Sequence, residues 1–117
     1  SMTLYIGYYT VADAQVQRFA DAEDNGTTAE AQATFQARVV ASRQGSFAGN
    51  IVASYSAITT AWENPNIMIV ETDDVTTLSA IGAHYNTVLE FTWTPANSIG
   101  TTTDQVESAM DRQFGRN

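Results

Sequence analysis

The chain has 117 residues, 44% hydrophobic and 15% charged, which suits one globular domain (2–117) and is too poor in charge for a disordered segment. Thirteen acidic groups oppose five arginines, with no lysine, for a net charge of −8; phosphate backbones and anionic membranes are repelled, so neither nucleic acid nor membrane is an expected partner. The absence of cysteine excludes disulfides, zinc–thiolate sites and thiol catalysis, and the absence of lysine excludes Schiff-base and P-loop chemistry.

In chain order, Leu4 to Val11 sets Leu4, Ile6 and Tyr8 against Tyr5, Gly7 and Tyr9. This alternation predicts a strand, with Gly7 marking a bulge or a close approach. Val16, Phe19 and Ala20 predict a helix from Asp13 to about Glu23, stopped by Asn25-Gly26. Thr27 and Glu30 have the spacing of a capping box. They predict a helix over 28–44 with Ala31, Phe35, the Arg38 stem and Val39 as its core stripe and Gly45 as a left-handed cap.

Ile51 to about Trp62 favours a strand, Glu63-Asn64-Pro65-Asn66 a turn, and Ile67 to Thr72 a second strand, together an antiparallel hairpin. That second strand holds the longest apolar run, Ile67 to Val70, far short of the roughly 20 residues that span a bilayer. The N-terminus lacks the basic flank and apolar core of a signal peptide, so the default compartment is cytoplasmic. Ser1 ahead of Met2 has the form of a tag-cleavage remnant, and the chain is expected to be close to complete.

Thr72-Asp73-Asp74 offers caps for a helix to about Tyr85 carrying Leu78, Ile81 and Tyr85. Leu89, Phe91 and Trp93 alternate with Glu90, Thr92 and Thr94 in a last strand from Val88 to Pro95. Val106, Met110 and Phe114, four apart, predict an amphipathic terminal helix over 104–114 that packs on a neighbour or a subunit. The order corresponds to the ferredoxin-like split βαβ plan, an α+β fold with an antiparallel four-stranded sheet and helices on one face. The bare second face calls for a cover, and a second copy of the chain is the common one.

The stretch 69–74, the helix around Leu78, and Val88 to Pro95 resemble small bacterial proteins of unknown function in the dimeric α+β barrel superfamily. The resemblance covers roughly the last half of the fold, while residues 12–49 depart from the compact single helix usual there. It implies a homodimer and, at most, a small apolar or aromatic organic ligand between helices and sheet, with no cofactor. Members of that superfamily include cofactor-independent monooxygenases, isomerases and haem-handling proteins. An enzyme of that kind would have to use His84 with Tyr8, Tyr55 or Trp93. A third reading is a protein-interaction module built on the exposed sheet or the terminal helix.

His84, the sole histidine, is the candidate general base, set against the plainer role of a helix-end residue bonded to a carbonyl. Tyr8, Tyr55, Tyr85 and Trp93 are the candidate pocket residues, drawn from an aromatic set that also holds Tyr5, Tyr9 and Trp62 and that core packing explains as well. Glu71 and Glu90 form a candidate acid–base pair only if their strands bring them together. Asp73 and Asp74 with Glu71 offer oxygen ligands but read first as helix caps, and no metal is expected. Arg38 and Arg43 can hold a carboxylate or serve as surface charge.

Overall fold

A computed structural model describes residues 2–58 and 65–116. Eight main elements follow in order: β1 (Thr3–Val11), α1 (Asp13–Asn25), α2 (Thr28–Ala41), β2 (Ile51–Tyr55), β3 (Asn66–Thr72), α3 (Thr76–His84), β4 (Leu89–Ala96) and α4 (Thr103–Gln113). The fold is α+β, with four antiparallel strands in the order β2-β3-β1-β4. β2 ends at Tyr55, short of the expected strand end, and Asn66, expected in the turn, opens β3; Trp62 and the first two residues of the expected turn, 63 and 64, lie outside the described residues.

Strand register decides what each face carries. Tyr5 pairs with Val70 and Pro95, Gly7 with Met68 and Trp93, and Tyr9 with Asn66 and Phe91. These residues share one face, and α2 and α3 cover it with Phe35, Val39, Leu78 and Ile81. Met68, Val70 and Ile81 are essentially fully buried there. Each contributes about 1.5–3 kcal/mol of transfer free energy.

Because side chains alternate across a strand, the opposite face carries Leu4, Ile6, Tyr8, Ile67, Ile69 and Tyr55. Tyr8 and Tyr55 are exposed there. Gly7 marks a close approach rather than a bulge: a Cβ on it would lie 2.8 Å from Trp93 Cε3 and Cη2 and closer still to Cζ3. The register shift falls instead in β2, between Ile51 and Ala53.

Two expected helix ends differ. Thr27 forms no capping box. Gly26, at φ 70°, closes α1 in the left-handed region, and the Thr27 N–H donates to Ala22 O at 2.8 Å. That bond leaves Thr27 at ψ 29°, outside the extended backbone from which a cap side chain reaches its helix. Gly45 is extended, at φ −76° and ψ 169°; α2 ends by tightening into a 3-10 turn, Ser42–Gln44, with the buried Ser42 hydroxyl donating to Val39 O at 2.6 Å. A capping box does form at α4, where Thr102 has extended backbone and exchanges bonds with Gln105.

At α3 the acidic strand end acts as a cap. Asp74 Oδ1 accepts from the Thr76 N–H at 2.9 Å and from the Thr76 hydroxyl at 2.7 Å, and these bonds hold its carboxyl below the ordinary carboxylate value.

α4 stands apart. None of its residues joins the core cluster, and Ala109 is buried beside Asn97, Ser98 and Ile99 of its own linker. The molecule measures 62 × 29 × 19 Å with a radius of gyration of 17.5 Å, against roughly 13 Å for a compact chain of this length. Among the described residues no helix is long and apolar enough to cross a membrane.

Candidate functional site

Two concavities flank the core. The first is a cavity of about 320 Å³ between the helices and the sheet. Its sheet wall consists of Tyr9, Val11, Ser54, Asn66, Met68 and Leu89, with Ser56 just beyond β2; its helix wall consists of Phe19, Phe35, Val39, Arg43 and Tyr85. Phe19 packs edge-on against Phe35, ring centroids 5.5 Å apart, and so ties α1 to α2 across that wall. Among the described residues the lining is mostly apolar and Arg43 is its single charged residue, the composition of a small-molecule site.

The polar groups of this cavity differ in how far they are already committed. Asn66 is used within the fold: its Nδ2 donates to Tyr9 O at 3.1 Å and its Oδ1 accepts from the Ala57 N–H at 2.9 Å. The hydroxyls of Tyr9 and Ser54 meet at 3.4 Å, a long separation for O–H···O that leaves both open to a better partner. Tyr85 is 1% exposed, and its hydroxyl makes no hydrogen bond to a described residue. Among the described residues no fully buried side-chain oxygen lacks a partner, so the little surface Tyr85 keeps belongs to that hydroxyl. A phenol buried to this degree ordinarily has a partner.

The second concavity, of about 510 Å³, is a groove at the β4 side, lined by the start of α1, by Leu78, Ser79 and Gly82 of α3, and by Phe91 and Trp93. Among the described residues it carries two acids, Asp13 and Glu90, and no cation. An aromatic partition separates it from the cavity. Tyr85 lies 5.6 Å from Phe91, Tyr9 lies 4.9 Å from Phe91, and Phe91 stacks on Trp93 at 5.1 Å with rings 2° from parallel.

The four expected pocket residues therefore do not converge. Tyr85 lines the cavity, Trp93 lines the groove, and Tyr8 and Tyr55 stand on the opposite sheet face. His84 is not among the cavity's lining residues. It joins two helices: His84 Nε2 lies 2.9 Å from Arg38 O, and Arg38 Nη1 donates to His84 O at 2.9 Å. A carbonyl only accepts, so Nε2 carries a proton and the lone pair of neutral His84 sits on Nδ1. The imidazole also meets Phe47 and Tyr85 edge-on.

Glu71 and Glu90 sit opposite Leu4 and Thr10, six residues apart along β1, or about 20 Å, and form no acid–base pair. Ser54 and Asn66 belong to the cavity without having been singled out from the sequence, which set Asn66 in the turn ahead of the strand that it opens. No family model matches this chain, and no curated protein or solved structure shows significant similarity to it.

Proposed function

We propose that the protein binds a small, largely apolar or aromatic organic molecule in the cavity between α1, α2 and the sheet. The observation that carries this reading is Tyr85: a phenol buried to 1% exposure in an apolar wall, with its hydroxyl left for an occupant. The volume of about 320 Å³ falls at the lower end of small-molecule sites. A catalytic role for His84 fits less well, because Nε2 is engaged with a carbonyl and only Nδ1 is left to act as a base.

The homodimer belongs to the same proposal, as a ferredoxin-like dimeric α+β barrel. The strand order β2-β3-β1-β4, with β1 and β3 central, supports the ferredoxin-like plan. Ile6, Ile67 and Ile69 share the sheet face opposite α2 and α3, and α4 contributes nothing to the core of its own chain. Both features favour cover by a second copy. An interaction module for a different protein would use the same surfaces.

Native mass spectrometry of the purified protein tests both parts. The expected result is a dimer that takes up one aromatic probe, 2-naphthamide, per subunit. A bare monomer overturns the dimer, and a dimer that takes up neither this probe nor the corresponding acid, 2-naphthoate, overturns the cavity reading.

A further inference from the structure

The chain has thirteen acidic residues and five basic ones, so a cavity lined at random would more often meet a carboxylate than a guanidinium. The cavity between helices and sheet has the reverse among the described residues: Arg43 lines it, and no described Asp or Glu does. The neighbouring groove, with Asp13 and Glu90 and no cation among the described residues, follows the overall charge.

Arg43 is also held in place. It follows α2 in the 3-10 turn, and its Nη1 donates to Ser42 Oγ at 2.7 Å. Ser42 is fully buried and is itself anchored to Val39 O. Of the five donors of a guanidinium, this is the only one that bonds to a described residue. The side chain is therefore oriented at little cost in donors, and the other four face solvent or an occupant.

We propose that the occupant of this cavity is a monocarboxylic acid with an apolar or aryl body, its carboxylate paired with Arg43. The inference rests on the cavity reading above and adds the charged end of the ligand. The body lies against Phe35, Val39 and Met68, and the hydroxyls of Tyr9 and Tyr85 supply further donors to oxygen atoms of the ligand. A guanidinium matches a carboxylate through two parallel N–H···O bonds. One cation in an apolar site balances one negative charge. A phosphate monoester, with close to two, would leave one charge without a partner among the described lining residues.

The test compares two probes that share a two-ring body and differ in charge, 2-naphthoate and 2-naphthamide, by isothermal titration calorimetry at neutral pH and low ionic strength. Naphthoate is expected to bind wild type about tenfold more tightly than naphthamide, the usual worth of a charge-assisted pair. In Arg43→Gln the ratio is expected to fall to one or below, because the carboxylate must then be desolvated without a partner, while naphthamide still binds. Arg43 is exposed, and circular dichroism checks that the variant is folded.

Equal affinity of wild type for the two probes, or an unchanged ratio in Arg43→Gln, overturns the carboxylate assignment and leaves the cavity reading standing. Failure of wild type to bind either probe overturns both.

Discussion

Gly7→Ala places a methyl group where the structure has an indole. The new Cβ would lie 2.8 Å from Trp93 Cε3 and Cη2, well inside contact distance. β1 is held by β3 on one side and β4 on the other, so the backbone yields little and Trp93 must move. Forced overpacking of this kind costs about 1–3 kcal/mol. Displacing Trp93 also breaks its stack on Phe91, worth roughly 0.5–1.5 kcal/mol. Against this stands the gain of about 0.5–1 kcal/mol from replacing glycine by alanine in a strand interior. The net expectation is destabilisation of about 2 kcal/mol, or a melting temperature lower by roughly 8 °C for a chain of this size. Urea and thermal unfolding followed by far-UV circular dichroism measure it. In a Trp93→Leu background, where the ring is gone, the same alanine is expected to be neutral or stabilising. A neutral Gly7→Ala in the wild-type background, or an equal loss in both backgrounds, refutes the packing of Trp93 on Gly7.

Thr87 occupies the left-handed region at φ 66°, and Arg18 Nη1 and Nη2 grip its carbonyl at 3.0 Å and its hydroxyl at 2.7 Å. Thr87→Gly removes about 1 kcal/mol of backbone strain together with one hydrogen bond of similar worth and is expected to be near neutral, whereas Thr87→Val keeps the strain, loses the bond, and lowers stability by about 1–2 kcal/mol in urea unfolding. For Asp74, bonds from the Thr76 hydroxyl and N–H favour the ionised form, so the folded-state pKa lies below the ordinary 3.8. The stability it adds is present above 3.8 and is lost as pH falls through the lower folded value. Asp74→Asn should narrow the stability difference from wild type as pH is lowered through that window, and a difference that stays constant with pH would refute the capping role.

The elements were legible where period and punctuation agreed. β1 and β4 show period-two alternation, α1 stops at Asn25-Gly26, and each forms within a residue or two of the expected span. Helix ends were harder, because a cap depends on how the chain arrives. Thr27 and Glu30 have the right identities, but the bond from the Thr27 N–H to α1 fixes a backbone that cannot use them. Thr102 and Gln105 follow an extended linker, and their capping box forms.

The candidate site was less legible for a reason of parity. β1 has aromatic or aliphatic side chains on both faces, so alternation showed that two faces exist and left open which one the helices cover. Tyr8 and Tyr55 fall on one face and Tyr9 on the other. Trp93 shares the face of Tyr9, yet the ring of Phe91 lies between Trp93 and the cavity.

The same partition bears on why the cavity stays open. Apolar walls close together unless something holds them apart, since atoms brought to van der Waals distance attract one another by dispersion. Tyr85 has its ring restrained by contacts with Phe91, centroids 5.6 Å apart, and with the His84 imidazole, 4.7 Å away. Its backbone is anchored as well: the preceding residue, His84, exchanges two hydrogen bonds with Arg38 of α2, and the Val88 and Leu89 N–H groups both donate to Tyr85 O. On the far wall, the edge-on packing of Phe19 and Phe35 spaces α1 from α2. His84, Arg38 and Phe91 thus act on the cavity without lining it. A wall held by such contacts loses little conformational freedom when a ligand enters, which makes this cavity, rather than the groove or the open sheet face, the preorganised site of the molecule.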